Sequence, residues 1–314
     1  MQGLVIKAIS GFYTVVTAAG ETYVCRLPGK LKRAWQVSDI VAVGDHVVFT
    51  PDEASDGQTG LVDSVAERER VISRTRPSGN NRQVTADQEQ VLVANPDQVI
   101  FVFAIRTPEP SLRKLDRLLV MAERSNLPVI ICVNKIDLGA EEEAQTLFGV
   151  YEQIGYPVLY TSVTRQIGIE ALRERLLGKI SVFSGSSGVG KSSLLNSVQP
   201  DLGRRVSAVS KATGKGLHTT RYSELIPLEG GGYVADTPGI RGVALYDIEA
   251  EELDAYFVDI APLVPQCQFS NCTHKHEPGC AVRQALADGQ LSPQRYDSYL
   301  RLREEHETLH QMAY

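Results

Sequence analysis

Long hydrophobic runs are missing from this 314-residue sequence. No stretch approaches the roughly 18 consecutive apolar residues that indicate a membrane-spanning helix, so the sequence predicts none. Residues 1–7 alternate like a β-strand and lack the basic region and long apolar core of a signal peptide. We therefore expect a cytoplasmic protein without a membrane partner.

An excess of positive charge is missing too. The 32 Lys and Arg residues are outnumbered by 38 Asp and Glu residues, which gives a formal net charge of −6. An even distribution of that charge would argue against a polyanionic partner. However, residues 251–314 alone carry ten acidic and five basic side chains. The rest of the chain is nearly neutral and contains basic clusters, so the net charge does not exclude a nucleic-acid partner.

Cysteine is scarce, with five residues in the chain. Cys25 and Cys132 lie in apolar, strand-like runs, which predicts buried thiols. The other three, Cys267, Cys272 and Cys280, fall within 14 residues of sequence. In a cytoplasmic chain such clustering favours a metal site over disulfides.

A histidine would complete this cysteine cluster. Three thiolates and one imidazole form the closed tetrahedral set of a structural zinc site, which lacks the open position of a catalytic one. The predicted ligands of one Zn²⁺ are Cys267, Cys272, His274 and Cys280. His276 is the rival for the histidine position, because spacing alone does not separate the two.

The central motif of the sequence is G-x-x-x-x-G-K-[ST], which binds the phosphates of a nucleoside triphosphate. Its positions are filled by Gly185, Ser186, Ser187, Gly188, Val189, Gly190, Lys191 and Ser192. An apolar strand-like segment precedes the motif, and a helix that includes Ser193 is predicted after it. In this context backbone N–H groups bind phosphate oxygens, Lys191 reaches the β- and γ-phosphates, and Ser192 is a ligand of Mg²⁺.

A second motif, N-K-x-D, follows an apolar strand at Asn134, Lys135 and Asp137. The Asp137 carboxylate can accept parallel hydrogen bonds from guanine N1–H and N2–H₂, a pair of donors that adenine lacks. Asn134 can serve guanine O6 or N7, and the Lys135 stem can lie over the ring. Ser162, in a polar loop after a later strand, is also a predicted nucleotide-binding residue. Because nucleotides bind at the carboxyl ends of strands in α/β sheets, the predicted ligand is GTP or GDP.

A third motif, D-T-P-G, spans residues 236–239 and completes the set expected of a GTPase. Asp236 would hold Mg²⁺ through water, and the Gly239 amide would sense the γ-phosphate. Thr219 or Thr220 would close over the metal, and the sequence does not distinguish the two. The residues predicted on this basis to act in catalysis are Lys191, Thr219, Thr220 and Gly239.

The order of the motifs is unusual. N-K-x-D precedes the phosphate-binding loop, which precedes D-T-P-G, whereas the phosphate-binding loop usually comes first. This order predicts a circularly permuted domain. The segment after Gly239 then runs directly into a C-terminal module, so that a movement driven by the γ-phosphate could act on that module.

The length and these motifs predict a multidomain protein. Residues 1–68 are predicted to form an OB-type β-barrel that binds RNA, and residues 69–96 a basic connector. Residues 97–248 form an α/β permuted P-loop GTPase domain, and residues 249–314 a mostly helical zinc-knuckle domain. The predicted barrel strands are Leu4–Ile9, Tyr13–Ala18, Thr22–Leu27, His46–Thr50 and Gly60–Val65.

Two basic segments are candidates for RNA contact. The loop after the third strand carries cations and Trp35, which could grip phosphates and stack a base; alternatively, it is a solvated loop whose Trp plugs the barrel end. The connector either faces RNA or is merely a soluble linker. Its arginines are Arg68, Arg70, Arg74, Arg76 and Arg82.

Barrel, permuted motifs and zinc knuckle, in this order, resemble the ribosome small-subunit-dependent GTPases, a family of bacterial assembly factors. The resemblance covers nearly the whole chain. It implies binding to the small ribosomal subunit and its rRNA late in maturation. It also implies hydrolysis of GTP to GDP and phosphate, stimulated by that subunit, with release afterwards. We expect the protein to act as a monomer.

Ile240 stands where Ras-like enzymes carry the glutamine that orients the attacking water. An isoleucine side chain cannot form a hydrogen bond, so another group must position the water. The resemblance suggests His218, which precedes the two threonines. The alternative is that His218 contacts rRNA and that ribosomal groups complete the hydrolysis.

Two other functions fit parts of the sequence. One is an rRNA-binding module that uses GTP as a conformational latch without significant turnover. The other is a P-loop kinase, which the N-K-x-D motif disfavours.

Overall fold

The computed structural model describes residues 1–28, 41–52, 58–75, 89–206, 223–236 and 248–313. A β-barrel, an α/β domain and a mostly helical C-terminal module follow one another along the chain, which confirms the predicted fold class. Among the described residues, no helix combines the length and the apolar character needed to cross a membrane.

Five strands close the N-terminal barrel, in the order β1-β2-β3-β5-β4 with β4 paired back to β1. The β3–β5 pair is parallel, and the other neighbours are antiparallel. Inward-facing apolar side chains such as Val5, Val15 and Phe49 fill the interior because they alternate along the strands. The strands are Gln2–Ile9 (β1), Phe12–Thr17 (β2), Thr22–Arg26 (β3), His46–Pro51 (β4) and Thr59–Val65 (β5).

A two-stranded ribbon follows the barrel in the segment predicted as a connector. Val71–Thr75 (β6) pairs antiparallel with Glu89–Ala94 (β7). The sequence did not predict these strands, because the polar and glycine-containing stretch between them resembled a linker. Val93 of the ribbon lies in the core of the α/β domain, and the Ala94 amide donates to the Val43 carbonyl at 2.8 Å. The ribbon therefore packs between the barrel and the α/β domain.

Two arginines of the segment predicted as a connector form contacts within the protein. The Arg68 guanidinium donates to both carboxylate oxygens of Asp45 at 2.8 Å each, and Asp45 is fully buried. The Arg70 Nε donates to the carbonyl of Asn126 at 2.9 Å. Neither the RNA-facing nor the soluble-linker interpretation predicts these internal contacts of Arg68 and Arg70. The side chain of Arg74, together with Arg76 and Arg82, lies outside the described part.

The α/β domain contains a six-stranded sheet in the order β10-β9-β8-β11-β14-β13, and only β13 runs antiparallel to its neighbour. Helices α1 and α2 pack on one face, and α3 and α4 pack on the other. Its strands are Gln98–Ala104 (β8), Val129–Asn134 (β9), Val158–Thr161 (β10), Ile180–Gly185 (β11), Ile226–Pro227 (β13) and Tyr233–Asp236 (β14). Its helices are Leu112–Arg124 (α1), Glu141–Gln153 (α2), Ile169–Leu176 (α3) and Lys191–Val198 (α4).

One short strand of this part of the chain joins the barrel. Ser223–Glu224 (β12) pairs antiparallel with β1, and Lys7 forms a 3.0 Å ion pair with Glu224. The Leu225 amide then donates to the Ile6 carbonyl at 2.8 Å. Residues 223–227 are therefore shared between two sheets, with β12 in the barrel sheet and β13 in the sheet of the α/β domain.

The prediction of buried thiols at Cys25 and Cys132 is confirmed. Cys25 lies in the barrel interior, and Cys132 lies on β9 within the core of the α/β domain. Burial raises the pKa of each thiol to about 11. Both thiols therefore stay protonated near neutral pH.

The C-terminal module packs on α1. Two 3₁₀ turns, Leu253–Tyr256 and Ala261–Gln266, precede helices Ala281–Ala287 (α5) and Pro293–Ala313 (α6). Val120 of α1 lies in the same buried cluster as Phe257 and Tyr299 of the module. This small core is thus completed by the α/β domain.

A buried ionic network fixes that contact. Arg295 of α6 is 1% exposed, and it donates to Asp116 of α1 and to Asp259 at 2.6 Å each. The Tyr151 hydroxyl of α2 donates to Asp116 at 2.8 Å, and the Gln294 amide donates to the other Asp116 oxygen at 3.1 Å. Because burial removes these charges from water, the loss of any one partner would leave an uncompensated charge and lower the stability of the fold.

Substitution Arg295→Ala is expected to lower the free energy of unfolding by about 3 to 5 kcal/mol, because Asp116 and Asp259 would remain buried without their cation. Urea unfolding followed by circular dichroism measures this change. Arg301→Ala, on the same helix with the exposed partner Asp297, is the matched control and should cost at most about 0.5 kcal/mol. Equal losses in both variants would contradict the assigned role of Arg295.

Candidate nucleotide-binding site and metal centre

The G-x-x-x-x-G-K-[ST] segment connects the end of β11 to the start of α4. Gly188 and Gly190 have φ values of 82° and 96°, in the left-handed region that favours glycine. A Cβ atom at Gly190 would collide with the side-chain amide of Asn134. The motif therefore needs this glycine both for its backbone conformation and for close approach of the neighbouring loop.

The predicted phosphate-binding groups lie at the start of α4. The Lys191 ammonium donates to the Gly185 carbonyl at 2.8 Å and is 3.4 Å from the Ser186 carbonyl oxygen. Ser192 and Ser193 are exposed in the first turn of the helix. Lys191 is thus held across the loop, with its charge at the positive end of the helix dipole.

Asn134 and Lys135 connect the N-K-x-D loop to this phosphate-binding loop. The buried Asn134 amide donates to the Val189 carbonyl at 2.9 Å, and its Oδ1 accepts from Thr161 at 3.1 Å. The Lys135 ammonium donates to the Gly188 carbonyl at 2.6 Å. The structure thus brings together two motifs that are about fifty residues apart in sequence. The Asn134 amide nitrogen carries a second hydrogen that can serve a base.

Asp137 is held by the loop after β10. Ser162 donates to its Oδ1 at 2.5 Å, and Ser162 Oγ accepts from the Arg165 amide at 3.1 Å. Hydrogen bonds from Ser162 and Thr164 lower the pKa of Asp137 below its ordinary value. The carboxylate is therefore ionised near neutral pH and acts as an acceptor, as guanine N1–H and N2–H₂ require.

Asp236 is the last residue of β14, and its register partner on the parallel strand β11 is Phe183. Its backbone therefore lies at the sheet edge from which the phosphate-binding loop begins. The predicted residues His218, Thr219, Thr220 and Gly239 lie outside the described residues.

Sequence reasoning did not identify Lys114 as part of this site. Its ammonium donates to the Ser186 Oγ of the phosphate-binding loop at 3.0 Å. Lys114 lies in the first turn of α1, which begins after Ser111 caps the helix. The sequence signal for this role was a basic residue in the first turn of the helix that follows β8. The loop between β8 and α1 lies at the same edge of the sheet as the phosphate-binding loop.

The predicted zinc ligands converge in the C-terminal module. The ligand atoms of Cys267, Cys272, His274 and Cys280 all lie within 4.8 Å of one another. His274 Nδ1 is 3.6 Å from the Cys267 sulfur and 3.4 Å from the Cys280 sulfur, and the two sulfurs are 4.0 Å apart. A zinc–sulfur bond of about 2.3 Å gives tetrahedral edges of roughly 3.8 Å, so the set fits a zinc ion. The rival, His276, is exposed and outside the cluster.

Neighbouring polar groups orient these ligands. His274 Nε2 is 3.1 Å from the Asp254 carboxylate, which fixes the ring so that Nδ1 faces the sulfurs. Glu277 accepts hydrogen bonds from the backbone amides of Thr273, Lys275 and His276 at 2.8 to 3.1 Å. The ligand loop is therefore ordered by carboxylates on both sides.

Substitution Asp254→Asn is expected to weaken zinc binding by roughly 10- to 100-fold, because the imidazole loses the carboxylate that orients it and raises its basicity. Competition with a chromogenic chelator measures the zinc dissociation constant. The matched control is Asp288→Asn, an exposed carboxylate that contacts only Gln284 among the described residues. An unchanged dissociation constant in Asp254→Asn would contradict the orienting role.

Comparisons with known proteins cover nearly the whole chain. A family model described as RsgA GTPase matches residues 65–246, and one described as the RsgA N-terminal domain matches residues 2–59. A protein of Gemmatimonas aurantiaca named small ribosomal subunit biogenesis GTPase RsgA is 42% identical, with 96% of each chain covered. A protein of the same name from Alkaliphilus metalliredigens is 40% identical, again with 96% of each chain covered.

Two solved structures are similar as well. YjeQ from Thermotoga maritima has a TM-score of 0.77 and 35% identity, with coverage of 97% of this chain and 98% of that chain. YloQ, described as a circularly permuted GTPase, has a TM-score of 0.75 and 32% identity, with coverage of 98% of this chain and 95% of that chain.

Proposed function

The chain belongs to the RsgA GTPase family, and from this membership we propose that it acts on the small ribosomal subunit late in its assembly. It hydrolyses GTP to GDP and phosphate, and the subunit stimulates the reaction. The observation that carries this proposal is the direct contact of the N-K-x-D loop with the phosphate-binding loop, through Asn134 and Val189.

Each side chain of the site has a proposed role in binding. Asp137, ionised and held by Ser162, accepts from guanine N1–H and N2–H₂. Backbone N–H groups of residues 185–192 bind the phosphates, and Lys191 neutralises charge on the β- and γ-phosphates. Asn134 and Lys135 hold the base pocket against the phosphate loop. Such preorganised donors lower the barrier because they are aimed at charge that develops in the transition state.

Hydrolysis transfers the γ-phosphoryl group to water, with cleavage of the bond between the γ-phosphorus and the bridging oxygen of the β-phosphate. Mg²⁺ would be held by Ser192, by Asp236 through water, and by Thr219 or Thr220, and it would neutralise charge on the phosphate oxygens. Ser192 and Asp236 belong to neighbouring elements at one sheet edge, which supports this ligand set. The Gly239 amide reports the presence of the γ-phosphate.

The other units are proposed to serve recognition. Residues 1–68 form an rRNA-binding barrel, residues 69–96 a connector, residues 97–248 the GTPase domain, and residues 249–314 a module stapled by one Zn²⁺. The protein acts in the cytoplasm as a monomer. The alternative is an rRNA-binding module latched by GTP without turnover, which binds the same ligands.

Addition of small ribosomal subunits is expected to raise the rate of GTP hydrolysis by about tenfold or more, because the missing activating groups are supplied in trans. Phosphate release is measured with small subunits, with large subunits and with neither. A rate unaffected by small subunits would favour the rRNA-binding module that is latched by GTP without turnover.

Asp137→Asn should lose stimulated GTP hydrolysis and gain hydrolysis of xanthosine triphosphate, since the amide donates where guanine also donates.

His218 is proposed to position the attacking water, because Ile240 cannot. Substitution His218→Ala is expected to lower the subunit-stimulated rate by roughly 10²- to 10⁴-fold without loss of subunit binding, which cosedimentation measures. His218→Gln is the matched variant, since its amide can orient water and should restore part of the rate. If His218→Ala kept the wild-type stimulated rate, ribosomal groups would have to complete the hydrolysis instead.

A further inference from the structure

A lysine of α1 also reaches the phosphate-binding loop. The Lys114 ammonium donates to Ser186 Oγ at 3.0 Å, and the Lys191 ammonium is 3.4 Å from the carbonyl oxygen of the same serine. Two positive charges from different parts of the chain therefore meet at one residue of the loop. Of these two lysines, only Lys191 belongs to the G-x-x-x-x-G-K-[ST] motif.

Packing fixes the position of Lys114. Ser111 caps α1, and Leu115 and Leu119 are buried in the core beneath the helix. Asp116, two residues after Lys114, is bound in the buried network by Arg295. The helix is thus held on both sides, and the Lys114 side chain extends from a rigid backbone toward the loop.

The charge of Lys114 lacks a counter-ion within the described part of the chain. Arg113 and Arg117 of the same helix pair with Asp297 and Glu305, whereas no carboxylate of the described residues lies within 4.0 Å of the Lys114 ammonium. Lys114 is half-buried. A partly desolvated cation is stabilised when an anion binds next to it. The anion-binding site that Lys114 contacts is the phosphate-binding loop.

We propose that Lys114 is a positioning residue for the γ-phosphate end of GTP. It holds Ser186 in place and adds a further positive charge beside Lys191, so that the loop discriminates in favour of GTP over GDP. This inference rests on the proposed function, because it assumes that the loop binds guanine nucleotides. GTP carries one negative charge more than GDP, and that additional charge enters the part of the site that Lys191 also reaches.

The test is the ratio of two dissociation constants, for a non-hydrolysable GTP analogue and for GDP, measured by fluorescence without ribosomal subunits. Lys114→Met is expected to weaken the GTP analogue by about tenfold and GDP by about twofold or less, as the Coulomb interaction of one charge over several ångströms predicts. Lys114→Arg should restore most of the ratio. Arg113→Met, on the same turn but directed to Asp297, should leave the ratio unchanged.

An unchanged ratio of the two dissociation constants would overturn the proposal. If both nucleotides were weakened equally, the role of Lys114 would be purely structural. If Lys114→Met failed to fold by circular dichroism, the ratio in Lys114→Gln would decide the matter by the same criterion. Failure of the proposed function has a different signature. Wild-type protein that bound neither nucleotide would refute both proposals, whereas normal discrimination without stimulation by small subunits would refute only the role on the subunit.

Discussion

The hydrogen bond from the Asn134 amide to the Val189 carbonyl is the contact on which the nucleotide site depends. It joins the end of β9 to the phosphate-binding loop, and Gly190 permits it because any side chain there would collide with Asn134. Thr161, at the end of β10, binds the other end of the same amide. Three strand ends are therefore fixed together, and the Asp137 carboxylate has a set position relative to the loop. Preorganisation of this kind reduces the entropy lost on ligand binding.

Helix α1 extends this rigid arrangement to the C-terminal module. Lys114 contacts the phosphate-binding loop, and Asp116, two residues later, is bound by Arg295 of α6. A shift of α1 would disturb both contacts, and the buried network opposes such a shift because a broken pair leaves an uncompensated charge. The cluster of three cysteines and His274 lies on the same side, since the His274 ring packs against Tyr299 of the core that docks on α1. The module is thus a structural extension of the GTPase domain.

Local motifs in the sequence were sufficient to predict the turn at Gly185–Ser192, the position of the N-K-x-D residues beside it and the convergence of Cys267, Cys272, His274 and Cys280, because each depends on residue types at short, fixed spacings. The barrel strands followed from the alternation of apolar residues. The Arg68–Asp45 and Arg295–Asp116 pairs were beyond prediction, since they join residues that are distant in sequence and ordinary in composition. The register of β12 on β1 depends on tertiary contacts of the same kind.

Circular permutation determines which units of the protein the segments around the nucleotide site lead to. Residues 207–222, which contain His218 and both threonines, lead directly into β12, and β12 is hydrogen-bonded to β1 of the barrel. Residues 237–247, which begin just after Asp236, lead into Ile248, which is buried in the core of the C-terminal module. The two segments that carry the residues proposed to respond to the γ-phosphate therefore lead to different units, one to the barrel and one to the C-terminal module. In a domain with the usual motif order the chain would return to the same sheet after D-x-x-G, and neither attachment would follow from chain connectivity.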